Sequence, residues 1–262
     1  MAFPKLNRNL LAVVLLAGLA AVCVSLGRWQ MDRAAERVAI AQAIEAESKS
    51  HPLALKADTL AGELREWRPA SATGVWLDAY TVLLDNRNLD GRPGWWLATP
   101  LQLADAPDNT AVLVLRGWLP RPLGHALPEL PPTPDTTQHV GGQLRARVPQ
   151  LYELWQFSGR DTSALPNVWR PGEPPLVQNL DLARYEHATG LKLLSAVLEQ
   201  TDAEPPGDTL RRDWPTPSLD ADKNRGYALQ WFSFAAIAGG AALLILWRAL
   251  RRSAGKRRQP RT

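Results

Sequence analysis

The chain has 262 residues, with 30 Lys and Arg against 26 Asp and Glu, 22 Pro, four His and a single Cys. One cysteine excludes a disulfide scaffold and any paired-cysteine metal or redox centre, and a hydrophobic content of 45% excludes a disordered polar chain. The net charge of +4 is unevenly distributed, which makes its placement more informative than its sign.

Taken in chain order, residues 1–9 form a short basic N-terminus, and residues 10–26 are apolar. Those 17 residues are about the minimum for a helix that crosses a bilayer. A transmembrane helix is predicted over 10–27. A cleaved signal peptide is disfavoured, because Ser25-Leu26-Gly27 runs directly into Arg28-Trp29-Gln30 without a small-x-small cleavage pattern. Cys23 follows Val22, where a lipoprotein cysteine would follow a small residue. Residues 28–48 are rich in Ala, Glu and Arg and lack Gly and Pro, so they extend this helix beyond the membrane.

Residues 69–118 change character. Short β-prone runs at 71–76, 80–84, 95–99 and 111–115 are separated by turn signals at Asn88-Leu89-Asp90-Gly91 and Asp105-Ala106-Pro107-Asp108-Asn109, which predicts an antiparallel meander. Six prolines between Pro120 and Pro134 make that stretch a surface loop. A further strand pair is predicted at 143–148 and 192–199, with a short helix near 180–187. The 21 apolar residues 227–247 rise about 31 Å as a helix and match a hydrocarbon core of about 30 Å. The expected fold is a membrane protein: two transmembrane helices flank a β-rich α+β domain, an antiparallel sheet or small barrel, over residues 28–226.

Charge sets the predicted orientation, because Lys and Arg beside spans are retained in the cytoplasm. Lys5 and Arg8 precede the first span, and Arg248, Arg251, Arg252, Lys256, Arg257, Arg258 and Arg261 follow the second, in a tail over 248–262. All 26 acids lie between the spans against the remaining 21 bases, so the intervening domain carries about −5. Both termini are expected in the cytoplasm and the domain in the periplasm of a bacterial inner membrane. The tail reads as a topology anchor touching membrane lipid, not as a nucleic-acid patch.

Catalytic signatures are missing: there is no G-x-S-x-G elbow, H-E-x-x-H, phosphate-binding glycine loop or C-x-x-C pair. Ser253 and Lys256 have a Ser-x-x-Lys spacing, but only within the basic tail. His51, His125, His139 and His187 lack ligand spacing, so no metal site is expected and the protein reads as a non-enzyme. The informative residues sit where the spans end. Trp29, Tyr227, Trp231 and Trp247 have the placement of an aromatic belt. Gln230 and Ser233 are polar groups about one turn inside the second span, where such groups face protein or ligand. Ala235, Ala236, Ala238, Gly239, Gly240 and Ala242 make a small-residue surface suited to close helix contact, and Ala17 and Ala21 offer a similar face on the first span.

Several blocks, in order, resemble the Surfeit locus protein 1 family of cytochrome oxidase assembly factors. Leu26-Gly27-Arg28-Trp29-Gln30-Met31-Asp32-Arg33 resembles the family's L-G-x-W-Q-x-x-R exit from the first helix. Arg92-Pro93-Gly94-Trp95 with Thr99-Pro100-Leu101 is similar to its G-x-x-G-aromatic and T-P-L strand. Arg116-Gly117-Trp118-Leu119-Pro120 resembles its R-G-W-x-P signature, and Tyr227-Ala228-Leu229-Gln230-Trp231-Phe232 its Y-A-x-Q/T-W-F helix start. The resemblance implies a non-enzymatic chaperone that assists insertion or retention of haem a, bound transiently. Its implied partners are the catalytic subunit of a haem-copper oxidase and the haem a synthase. Asn224, Tyr227, Gln230 and Trp231 are the implied haem-proximal residues; Trp29, Gln30, Arg33, Arg116, Gly117 and Trp118 are the motif or partner residues.

The family's N-x-H-x-x-Y is absent: the chain reads Asp222-Lys223-Asn224-Arg225-Gly226-Tyr227. Either Asn224 takes the histidine's place or two residues have been lost, and the expected axial imidazole is missing. The motif residues also have structural readings, in which Gly117 permits a bend, Trp118 fills the core and Arg116 pairs with an acid. A generic two-span envelope scaffold without a haem role is the competing class.

Overall fold

The computed structural model describes residues 8–106, 109–122, 130–151, 164–166, 168–170, 172–202, 208–217 and 219–257. The chain forms two compact units, Met1–Gln42 with Pro217–Thr262, and Ala43–Thr216.

The first unit is helical. Helix α1 is Arg8–Ser48, unbroken from the apolar span through the Ala/Glu/Arg-rich stretch, because no proline interrupts it. A second long helix, α3, is Ala221–Arg257. Both are long and apolar enough to cross a membrane. On α3 the buried residues Ala221, Ala228, Ala235 and Ala242 recur every seven residues, with Ala238 beside them. On α1 the buried face passes through Cys23, Gly27 and Ala34, in steps of four and then seven residues. A seven-residue recurrence of buried small residues is the mark of a seam between two helices in contact. Ala17 and Ala21 lie off it and are exposed, so the small-residue face expected on α1 is displaced by one position. A one-residue step turns a helix by about 100°, enough to move a residue off a narrow seam.

The second unit is built from eight strands: β1 Leu53–Leu55, β2 Pro69–Trp76, β3 Val82–Leu89, β4 Arg92–Leu103, β5 Thr110–Pro120, β6 Gln138–Arg145, β7 Leu176–Val177 and β8 Lys192–Gln200. Helix α2, Leu182–Thr189, precedes β8, capped by the Asp181 carboxylate on the Arg184 amide and ended by Gly190. β3 and β4 form the expected hairpin, with Asp90 and Gly91 at φ +50° and +75° between them. β6 and β8 form the expected strand pair, in antiparallel sense, but β6 lies earlier than the predicted 143–148 and ends at Arg145.

The meander is not as expected. β2 does not pair with β3; it pairs with β6 along its length and with the far end of β4 through Gly74, Val75 and Trp76. β5 pairs antiparallel with β4 and parallel with β8. Strands β2, β4, β5, β8 and β6 therefore close into a five-stranded barrel, with β3 and β7 added at the first half of β4. Gly74 makes the closure possible: a Cβ there would stand 1.9 Å from the Gln102 carbonyl oxygen. Closure abolishes most of the unpaired edge that an open sheet would expose. The interior is filled by alternate residues, among them Ala70, Ala72, Leu101, Val112, Val114, Leu144 and Leu198. Leu113, Leu115 and Val197 face outward into a second cluster under α2, with Trp96, Trp118 and Tyr185. β5 is thus buried on both faces, which explains its unbroken Val/Leu run.

A buried carboxyl–guanidinium pair crosses the β6–β8 ladder inside this unit. Arg145 Nε lies 3.0 Å from Glu199 Oε1, with Glu199 2% exposed, and the guanidinium stacks 3.7 Å from the Trp67 ring centroid. Burial pushes the Glu199 carboxyl up to about 7, against the opposing pull of Arg145. The folded state therefore holds a proton on Glu199 that the unfolded chain releases near its ordinary value of 4.5. Stability from this group is complete below that value and lost as pH rises toward 7, by an amount on the order of 1–3 kcal/mol. Denaturation midpoints of the purified protein should fall across that window, and Glu199→Gln should flatten the slope; a midpoint rising through it would contradict the assignment.

Candidate functional site

The motif residues fall into two groups, one in each unit. In the helical unit, Asn224 lies one turn into α3 on the buried seam, and its Nδ2 donates to Gln30 Oε1 of α1 at 2.6 Å. These residues are 194 positions apart and come from two separate motif blocks. The Asn224 Oδ1 is buried with no hydrogen-bond partner among the described residues. Close by in sequence, Arg37 Nη1 donates to the Asp220 carbonyl at 2.7 Å. Below this polar layer the helices approach tightly: a Cβ on Gly27 would meet the Phe232 ring at 2.7 Å. Trp231, seven residues after Asn224, stands edge-to-face with Phe234 and lines an apolar groove of about 320 Å³ with Leu16, Leu19 and Cys23.

The remaining predicted residues of this unit turn outward. Trp29 and Tyr227 are about half exposed and Gln230 is exposed, the placement of belt residues. Arg33 pairs with Glu36 at 2.6 Å on the helix surface. Ser233 spends its hydroxyl on the Leu229 carbonyl of its own helix, at 2.8 Å, instead of facing a partner. At Trp247 the Arg251 guanidinium covers the ring at 4.0 Å.

As an iron site this layer does not fit. Its donor set is two carboxamides, whereas haem iron is ordinarily held by imidazole, thiolate, thioether or phenolate. Among the described residues no group of three His, Cys, Asp or Glu is placed to hold a metal ion. His139 is spent on Thr73 Oγ1 at 3.1 Å, and His125 lies outside the described residues. The amide pair is suited instead to fixing the register of two helices, as a polar pair in an apolar seam does.

In the barrel unit, Arg116, Gly117 and Trp118 form a bulge. Gly117 opposes Leu97 and Leu115 opposes Ala98, which leaves Arg116 as the extra residue of β5. Gly117 has the bend expected of it, at φ +157°, and the 210–211 segment packs so closely that a Cβ would meet Leu210 Cβ at 2.7 Å. Trp118 is 4% exposed, and its indole N–H donates to the Arg87 carbonyl at 2.7 Å. The Arg87 guanidinium itself stacks on Trp96 at 4.5 Å and donates to the Gln178 carbonyl at 3.0 Å.

Arg116 departs from expectation. Among the described residues it forms no ion pair with an acid; it is 6% exposed and stacks 4.9 Å from the Trp76 ring centroid. Trp76 became its partner because barrel closure pairs the end of β2 with β4, one strand away from β5, a contact absent from any local pattern. Sequence reasoning also missed the Arg145–Glu199 pair and the roles of Arg87 and Trp76. The only signal available was a charged residue within a β-prone run.

Two helices long and apolar enough for a membrane, with a closed β-barrel domain between them in sequence, define the class: a barrel protein with a membrane-compatible helix at each end of its chain. The SURF1 family matches residues 17–236, from the first helix through the barrel and into the second, and the chain belongs to it. The family is a membrane protein family, known in general as cytochrome oxidase assembly factors. No curated protein gives a significant match.

Proposed function

We propose that this protein assists insertion or retention of haem a in the catalytic subunit of a haem-copper cytochrome oxidase, without catalysing a reaction itself. The observation that carries this reading is the family match across both helices and the barrel. The contact between the first and last motif blocks, through Gln30 and Asn224, supports it by giving those blocks a common location at the end of the apolar spans. The catalytic subunit, and the synthase that delivers haem a, are the proposed partners. The carboxamide layer positions the helices for them; it does not ligate the iron.

Deleting the gene should lower haem a absorbance and oxidase turnover in membranes, and leave an oxidase with other haems unchanged. Normal haem a spectra and turnover in the deletion strain would leave a generic envelope scaffold as the better reading.

The site of action follows from charge. With every acid between the spans and basic residues at both ends, the proposed orientation has both termini in the cytoplasm of an inner membrane and the barrel in the periplasm. Alkaline phosphatase joined at Asp135 should be active and at the tail inactive. The opposite pattern would reverse the topology.

A further inference from the structure

Arg116 has more charge around it than the fold neutralises. It follows Val112 and Val114 on the inward-facing side of β5, and its Nε is buried with no hydrogen-bond partner among the described residues. The carboxylate that acts on it most is Asp208, but Asp208 is already paired with Arg212, both side chains being over nine-tenths buried. Two buried guanidiniums therefore share one buried carboxylate. Burial draws the Arg116 pKa down to about 10, so it stays cationic at neutral pH. The Trp76 face offsets only about 1–2 kcal/mol of the cost of burying that charge, which is several kcal/mol.

Arg116 lines a pocket of about 200 Å³. Leu97, Pro131 and Pro132 give it apolar walls, and Thr81 contributes a hydroxyl that is also hydrogen-bonded to Thr99 at 3.0 Å. Arg170 completes the wall; its ion pair with Glu173, at 3.5 Å, is largely exposed and weak enough to be exchanged. Asp78 also lines the pocket, exposed to solvent and beyond ion-pair distance of Arg116.

We propose that the barrel domain binds a carboxylate on a short aliphatic stem in this pocket, with the Arg116 guanidinium as its principal anchor. A guanidinium fork matches the two oxygens of a carboxylate. Among the described residues the group of Arg116, Arg212 and Asp208 carries one net positive charge, which suits a monoanion, and the Asp78 carboxylate on the pocket wall discriminates against a dianion such as phosphate. The apolar walls take the stem, and the volume limits it to a few carbons. This site is independent of the haem reading, since it belongs to the barrel and calls on none of the residues at the ends of the spans.

The test uses the full chain purified in detergent, with ¹³C-labelled butyrate followed by NMR line broadening and by thermal denaturation, at constant ionic strength. Saturable binding is expected, with inorganic phosphate competing poorly. Arg116→Met should weaken binding by about 10- to 100-fold, the worth of a hydrogen bond to a charged group. Arg170→Gln should weaken it by less. Arg116→Met should still fold, because replacing an uncompensated buried charge by an apolar side chain of similar length is neutral or stabilising. If it does not fold, Arg116→Lys, which keeps the charge and loses the fork, should still show a measurable loss. Blocked glutamate in place of butyrate separates the sources: tighter binding assigns the carboxylate to a polypeptide side chain, weaker binding to a free acid. Absence of saturable binding, binding unaffected at Arg116, or a preference for phosphate would overturn the proposal.

Discussion

Replacing Trp118 with alanine should unfold the barrel under conditions in which the unsubstituted protein is folded. The indole is almost fully buried, in one cluster with Trp96, Leu115 and Val197, and its N–H satisfies the Arg87 carbonyl. Its backbone also pairs with Arg211 through two hydrogen bonds, of 2.7 and 3.0 Å, which hold the 210–211 segment against the bulge. A Trp-to-Ala change in a packed core costs about 3–5 kcal/mol, and an orphaned buried carbonyl adds about 1–3. Together these rival the whole stability of an ordinary domain, about 5–15 kcal/mol. The melting temperature of purified protein should drop by roughly 10–20 °C, and its level in membranes should fall with it. Trp29→Ala, at a half-exposed helix position, is the control and should change stability by no more than about 0.5 kcal/mol. Equal melting of the two variants would show that the bulge carries far less of the fold than its packing implies.

The second large effect is expected at Asn224. Purified protein should carry little haem a, because a carboxamide is a poor ligand for haem iron and Asn224 is already engaged with Gln30. Asn224→His should raise the haem content, by setting an imidazole opposite Gln30. The Gln30 amide oxygen could then accept the ring N–H and orient the other nitrogen, a supporting contact whose loss typically costs about 10–100-fold. The double variant, with Gln30→Ala added, should fall back accordingly. Pyridine haemochrome spectra of the three proteins measure this directly. Stoichiometric low-spin haem a in the unsubstituted protein, indifferent to both changes, would place the haem contact elsewhere.

Sequence alone determined what depends on neighbours along the chain. The two apolar spans, the continuation of α1 to Ser48, the Asp90-Gly91 hairpin and the Asp181-capped α2 are all local: helix length, capping and turn chemistry are written within a few residues. The motif blocks that resemble a family were legible for the same reason, each being a short contiguous run. Only the tertiary structure decided how the barrel closes, since Gly74 meets Gln102 and β5 runs parallel to β8 across long loops, and no periodicity records which strand lies beside which. It alone gave Arg116 the Trp76 ring in place of an acid, set Arg145 against Glu199, and moved the α1 contact face off Ala17 and Ala21. The pairing of Gln30 with Asn224 belongs with these. Each residue was legible as a motif position, but their contact spans 194 residues and exists because two helices share one heptad seam.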